Sequence, residues 1–362
     1  MSSEKLAIVP ARDRQGESAS GVYSALATTS DERYSINDLE FTDLYFSATG
    51  DVFLRGCLDA PDEPLSRLPA ELLSDIESVR KIVIARSEQG TRGKEADSYF
   101  MDYSGVRYRV TCIPEMNGNW FTLRRSLNTV PELGTLLFPK RAMGELAHIG
   151  RTHGMIVLAG RTGDGKTTTC YSLLQEYLRA FGGPAVTIEN PPELQMSGPV
   201  GNYGHCFQVQ VENGDFTSAL KRALRITPRY IMVGEILARD EAQEVLRASI
   251  NGHVVLTTIH AGSVQEAIQS LLKLSIDATT DIGFARHTLS QGIAAVIHQK
   301  LVATEDQGVI KRVPQASFLF MGDENSAPRQ RLREGKIEQL ANEIAQQEMR
   351  MSQNKPPIDR TK

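Results

Sequence analysis

The 362-residue sequence predicts an α/β protein: a small α+β domain followed by a larger parallel α/β domain. Two patterns and one motif carry that reading. Between residues 43 and 123, short runs of aromatic and β-branched residues are separated by turn residues. Beyond residue 140, strand-like and helix-like periods alternate, as in sheets built from parallel crossovers. Within that stretch an apolar run, Met155, Ile156, Val157 and Leu158, ends in a glycine-rich loop, Gly160-Arg161-Thr162-Gly163-Asp164-Gly165-Lys166-Thr167, that opens a helical stretch.

The first 36 residues mix Ser, Gly, Glu, Arg and Asp without a sustained period and are expected to be loose. A domain over 37–135 begins with strands at 44–46 and 52–54, separated by the turn residues Gly50 and Asp51. Leu65, Leu68, Leu72, Leu73, Ile76, Val79 and Ile82 then recur at three- and four-residue steps and predict a helix with one apolar face. Strands follow at 99–103, 106–112 and 120–123, with Gly105 and Asn117-Gly118-Asn119 as turns. Proline and glycine punctuation between 130 and 140 marks the boundary. The second domain, 136–348, has strands expected at 155–159, 185–189, 231–235 and 254–259 and a helix at 168–181. The polar end, 349–362, with Pro356 and Pro357, reads as a flexible tail.

Composition narrows the function classes. The length is about twice a usual domain of ~150 residues, and 41% hydrophobic content is enough to fill two cores. Purely apolar runs such as 156–159 and 231–233 fall far short of the about 18 residues a membrane-spanning helix needs. The N-terminus has no apolar signal-peptide core, so a cytoplasmic protein without an integral membrane segment is expected. Cys57, Cys112, Cys170 and Cys206 lie far apart with no C-x-x-C pair, which predicts free thiols. A net charge of −4 gives no global basic field, so direct nucleic-acid binding is not expected.

Consecutive amide N–H groups turn toward a single phosphate only where side chains do not block the approach, and Gly160, Gly163 and Gly165 allow it. Lys166 supplies a point charge for the β- and γ-phosphates and Thr167 a hydroxyl for Mg²⁺. The helix that starts here, with Thr168 next in line, turns its positive end toward the anion. A magnesium-bound nucleoside triphosphate is the expected ligand. The loop alone would serve a kinase or a GTPase as well.

Glu235 and Glu189 each follow an apolar run, so both carboxylates are expected at the carboxyl edge of the sheet, oriented toward water or a metal. For either alone, a solvated strand end is the plain alternative. His260 ends the run 254–259, where it can sense or neutralise a γ-phosphate; His253 either does the same or stabilises the turn before that strand. Arg222, Arg225 and Arg229 stand just ahead of the Glu235 strand, where an arginine can stabilise charge on a transferring phosphoryl group.

In order and spacing these motifs resemble those of the secretion ATPases of the PilT, GspE and DotB/TraJ type, over about residues 43–344. Residues 160–167 stand as the Walker A box and Ile231-Met232-Val233-Gly234-Glu235 as the Walker B box. Glu189-Asn190-Pro191-Pro192-Glu193 resembles the acidic box, and 251–260, with His253 and His260, the histidine box. Arg225 falls where the family has an arginine finger that reaches a neighbouring site. Gly105-Val106-Arg107-Tyr108-Arg109-Val110 resembles the family's Gly-x-Arg-x-Arg strand, with Arg124 at its later arginine.

The resemblance implies a PAS-like α+β N-terminal domain, a RecA-like P-loop ATPase domain and a ring-shaped homo-hexamer. It implies ATP hydrolysis with Mg²⁺ at the cytoplasmic face of the bacterial inner membrane, driving type IV secretion, conjugation or a type IV pilus through a membrane platform or coupling protein. Glu235, Glu189, Arg225, His260 and His253 become the catalytic candidates, Thr167, Glu189 and Glu235 the metal ligands, and Arg107, Arg109 and Arg124 arginines that close onto nucleotide. Two places depart from the pattern: Asn190 replaces an aspartate, and Ile236-Leu237-Ala238 replaces Met-Arg-Asp. The absence of a tetracysteine module favours the PilT and DotB/TraJ branches, and 332–337 resembles a helix boundary that the PilT branch uses in retraction. Two rival readings remain on the same core, a nucleic-acid translocase and a nucleotide-binding regulatory subunit with little turnover.

Overall fold

The computed structural model describes residues 35–39, 41–57, 64–90, 98–125, 129–211, 215–276, 281–306 and 309–358. The chain divides into two compact units between Asn128 and Thr129. Most of the N-terminal stretch expected to be loose, residues 1–34, lies outside the described residues, as do 359–362 of the tail.

The first unit holds β1 (Asp43–Ser47), β2 (Val52–Arg55), β3 (Ser66–Arg67), α1 (Leu73–Gly90), β4 (Ser98–Tyr103), β5 (Val106–Ile113) and β6 (Trp120–Arg125). Its strands form one antiparallel sheet in the order β3-β2-β1-β6-β5-β4. Burial alternates as the pleat requires: in β5, Val106, Tyr108 and Val110 are buried while Arg107 and Arg109 face the other side. Leu72, Ile76, Val79 and Val83 close the core against Leu44, Phe46, Leu54, Tyr108, Phe121 and Leu123.

The expected helix over 65–82 is corrected in its first half. Ser66 and Arg67 pair with β2 instead, and a 3₁₀ turn, Ala70–Leu72, precedes α1. Pro69 is the cause: it lacks an N–H and pushes Leu68 out of the helical region. Leu65, Leu73 and Ile82, counted above in the apolar stripe, are exposed.

The second unit opens with α2 (Lys140–Ile149), β7 (Gly154–Gly160), α3 (Lys166–Phe181), β8 (Gly183–Glu189), β9 (Gly198–Val200) and β10 (Gly204–Gln210). It continues through α4 (Phe216–Leu224), β11 (Tyr230–Val233), α5 (Arg239–Ile250), β12 (Val254–His260), α6 (Val264–Ser275) and α7 (Ile282–Gly292). It ends with β13 (Ile293–Asp306), β14 (Val309–Phe320), α8 (Ala327–Arg333) and α9 (Leu340–Ser352). The sheet runs β14-β13-β7-β12-β11-β8-β10-β9, parallel from β13 to β10 with an antiparallel strand at each edge.

Period-two alternation splits the core into two layers. Met155, Val157 and Ala159 of β7 face one cluster, with α4 to α7, while Ile156 and Leu158 face the other, with α2 and α3. Strands covered on both faces read as unbroken apolar runs, which is why these were legible. The hairpins β9–β10 and β13–β14 were not foreseen, because they alternate with polar residues and β14 carries Pro314, which weakens a strand signal and is tolerated at an edge.

The stretch from residue 349, expected to be loose, carries α9 on to Ser352, and Met351 and Ile358 pack against the α2–α3 core. Among the described residues none of the four cysteines is in a disulfide; Cys112 is partly exposed and the other three are buried. Among the described residues, no helix is long and apolar enough to cross a membrane.

Candidate functional site

Strand register gathers the functional groups at one edge. Gly160 at the end of β7 pairs with His260 of β12, Ala159 with His298 of β13, Glu189 of β8 with Gln210 of β10, and Ile188 with Val233 of β11. The glycine loop, Glu189, Glu235 and His260 therefore share the carboxyl edge, where open α/β sheets bind ligands.

Contacts within the protein hold the loop in shape. Gly163 and Gly165 have φ of 85° and 77°, a region that suits glycine, and a Cβ on Gly160 would stand 2.4 Å from the Gln299 carbonyl oxygen. Asp164 accepts from the Arg161 amide at 2.7 Å and from the Leu301 amide at 3.3 Å. Gln299, 1% exposed on β13, donates to the Asp164 carbonyl at 2.6 Å and accepts from the Thr169 hydroxyl at 2.8 Å. Arg161, Thr162 and Gly163 are exposed, and Thr167 and Thr168 lie in the first turn of α3, both half-buried.

Lys166 is buried and donates to the Arg161 carbonyl at 3.0 Å. Burial pulls its pKa below the usual lysine range, against the opposing charges of Glu235, Asp164 and Glu193. A desolvated ammonium surrounded by carboxylates and open glycine backbone fits a phosphate. For magnesium the fit is partial. Among the described residues, no three of His, Cys, Asp and Glu converge as a metal cage. An ion at Thr167 would take most of its ligands from water and the triphosphate, the usual arrangement for Mg²⁺.

Glu235 lies two residues past β11, is partly exposed, and accepts from Nε2 of His260 at 3.0 Å. Its loop is pinned from β12, since the Thr258 hydroxyl donates to the Gly234 carbonyl at 2.7 Å. Leu237 and Ala238, the departures noted above, are exposed, and their amides donate to Glu241 at 2.9 and 3.0 Å, so the carboxylate of Glu241 caps α5.

Glu189 departs from expectation. Its carboxyl was expected to emerge from the edge, yet it is 2% exposed, accepts from the Tyr171 hydroxyl at 2.5 Å and meets the Glu193 amide at 3.4 Å. Desolvation raises its pKa to about 7, against the lowering effect of the Tyr171 hydrogen bond. The folded state thus binds this proton more tightly than the unfolded chain, where the reference is 4.5. Stability is lost as pH rises from there to about 7. Urea titrations of wild type and Glu189→Gln at pH 5 and pH 8 should show the variant gaining on wild type with pH, by up to about 3 kcal/mol. A gap that does not change with pH would mean the carboxyl is not held protonated.

Other candidates do not meet the loop of their own chain. His253 lies at the amino end of β12, its Nδ1 2.6 Å from the Pro228 carbonyl oxygen, so of its two readings the turn-stabilising one is the observed contact. Arg225 is exposed at the end of α4, ahead of the amino end of β11. A strand such as β12, at about 3.3 Å per residue, separates that edge from the glycine loop by roughly 20 Å. Neither side chain therefore meets the glycine loop of its own chain.

In the first unit, Arg107 makes two hydrogen bonds to Asp102, at 2.8 and 2.9 Å, and Arg124 pairs with the buried Asp43 at 2.7 Å. Arg109 donates to the Ser98 hydroxyl at 3.3 Å and stands opposite Arg124 in the β5–β6 register. All three are on one sheet face. Sequence reading missed Gln299, Tyr171 and Gln208, whose importance depends on what they touch and leaves no local signal.

The family model for type II/IV secretion system proteins matches residues 89–354, well over half of the chain. The chain belongs to the type II/IV secretion and pilus ATPase family. Within it, Competence protein ComGA of Bacillus subtilis is 32% identical over 202 residues, 54% of this chain and 52% of that protein. Type II secretion system protein E of Pseudomonas aeruginosa is 32% identical over 277 residues, 74% of this chain and 51% of that protein. The chain spans about half the length of these relatives. Among solved structures, the pilus retraction motor PilT with bound ADP superposes with a TM-score of 0.67 at 25% identity, over 87% of each chain. The ATPase DotB of Legionella pneumophila superposes at 0.65 and 24% identity, over 86% of this chain and 88% of that one, and supports the fold.

Proposed function

We propose that this chain is a cytoplasmic, peripheral ATPase of the bacterial inner membrane, a homo-hexamer that hydrolyses ATP with Mg²⁺ to drive a type IV secretion, conjugation or pilus machine through a membrane platform or coupling protein. The observation that carries it is the meeting of the loop around Lys166 with the Glu235–His260 pair at one sheet edge. The relatives' names as secretion and competence proteins, and PilT's as a motor with ADP, support the energising role. The first unit is read as the PAS-like domain and the second as the RecA-like core.

Residues 160–168 cradle the triphosphate, with Lys166 between β- and γ-phosphates. Thr167 would hold magnesium, with Glu189 and Glu235 as the candidate carboxylates, and the ion when bound would supply charge neutralisation of the phosphate oxygens. Glu235 orients a water and accepts its proton as the water oxygen bonds to the γ-phosphorus and the bond to the leaving ADP oxygen breaks, with His260 fixing the carboxylate. Arg225, too far from its own loop, serves the loop of the next subunit, and His253 holds Pro228 and so the turn after Arg225. Arg107, Arg109 and Arg124 are read as nucleotide-binding arginines.

Complementation tests the shared site. Arg225→Ala and Lys166→Ala chains, each expected to be inactive, should regain a fraction of wild-type phosphate release when mixed, because some interfaces then join an intact loop to an intact arginine. No recovery from variants that still assemble would remove Arg225 from the site.

A further inference from the structure

α3 begins at the loop, with Thr167 and Tyr171 on one helical face, four residues apart. Tyr171 is fully buried. Its hydroxyl donates to Oε1 of Glu189 and accepts from Nε2 of Gln208 at 2.8 Å. Gln208, on β10 opposite Thr187, also donates to the Leu194 carbonyl at 2.8 Å and accepts from the Met196 and Ser197 amides at 2.7 and 2.8 Å. A continuous chain of hydrogen bonds thus runs from the acidic carboxyl of β8, through the phosphate-loop helix, to the backbone of the segment that follows the acidic box.

The polar atoms of this chain are matched. The tyrosine gives one proton and takes one, and Gln208 uses both faces of its amide. A packing tyrosine needs no such partners, and a glutamate left to itself at a strand end would turn toward solvent. Here one carboxylate oxygen is occupied from inside the protein, while Oε2 meets the Glu193 amide at 3.4 Å.

We propose that Tyr171 is a positioning residue for Glu189, holding Oε1 and so fixing the orientation of the carboxyl group beside the phosphate-loop helix, with Gln208 locking both to the 194–197 segment. The inference rests on the ATPase reading of the site. It gives the phosphate-loop helix a second role, since the helix that carries Thr167 also sets the orientation of the carboxylate on the neighbouring strand. Partners that orient a ligand in this way typically contribute about 10- to 100-fold to activity.

The experiment is steady-state Mg-ATP hydrolysis by the full chain, with affinity measured separately by a fluorescent ATP analogue and folding by thermal melting. Tyr171→Phe keeps the ring and removes the hydroxyl. It should lower kcat about 10- to 100-fold with KM and analogue affinity within about twofold of wild type. In the Glu189→Gln background the same change should cost nothing more, since the tyrosine acts through that carboxyl. Gln208→Leu breaks the chain from its other end, leaves Tyr171 in place, and should lower kcat in the same direction; it carries the test if Tyr171→Phe does not fold.

Wild-type kcat in Tyr171→Phe, a loss confined to KM, or losses that multiply in the double variant would each overturn the inference. A wild-type chain that fails to hydrolyse ATP would instead overturn the ATPase reading, so the two failures are separable.

Discussion

Glu235→Gln is expected to lower kcat for ATP hydrolysis by about 10²- to 10⁴-fold, the range for loss of a general base, while nucleotide affinity stays near wild type. The side chain is partly exposed, stands beyond the end of β11, and already accepts a hydrogen bond from His260. Glutamine preserves that acceptor and the shape, so the loop pinned by Thr258 should not move. What it removes is the ability to take a proton from water. Single-turnover phosphate release and equilibrium binding of ATP measure the two quantities independently. Hydrolysis at wild-type rate would move the base elsewhere, with Glu189 next in line.

Much of the second unit was legible because its central strands are buried on both faces and so appear as unbroken apolar runs ending in chemistry: 155–159 before the loop, 231–233 before Glu235, 254–259 before His260. The first unit was legible through turns and alternation, except where Pro69 cut the apolar stripe. The site's support was not legible. Gln299 reaches the loop from 135 residues away and Gln208 reaches Tyr171 across 37. No periodicity records such pairings, since they exist only once the strand order is set. The burial of Glu189 belongs to the same class. A strand-end carboxylate looks exposed in one dimension, and only the arrival of α3 above β8 takes it out of water.

The departures at 237 and 238 also gain a physical account. Glu241 receives both amides, so the loop after Glu235 is stabilised from its own helix and does not depend on the side chains that the family pattern would supply. Leu237 joins this arrangement through its amide, and its side chain is exposed.

Lys166→Ala is expected to weaken ATP binding by about 10- to 100-fold, as for a lost hydrogen bond to a charged group, and to reduce turnover by about 10²- to 10³-fold. The environment sets the sign. Lys166 is buried at a desolvation cost large enough to depress its pKa, and it is opposed by Glu235, Asp164 and Glu193. Alanine removes the cation that faces those carboxylates, so the triphosphate would meet uncompensated negative charge. Folding should respond the other way or scarcely at all, because a buried ammonium with one carbonyl partner at 3.0 Å contributes little net stability. Lys166→Arg should rescue poorly, since a planar fork cannot replace a compact point charge in a space shaped by Gly163 and Gly165. Isothermal titration with ATP beside a thermal melt separates the effects: binding lost with melting unchanged is the expected result, and joint loss of both would make Lys166 a structural residue first.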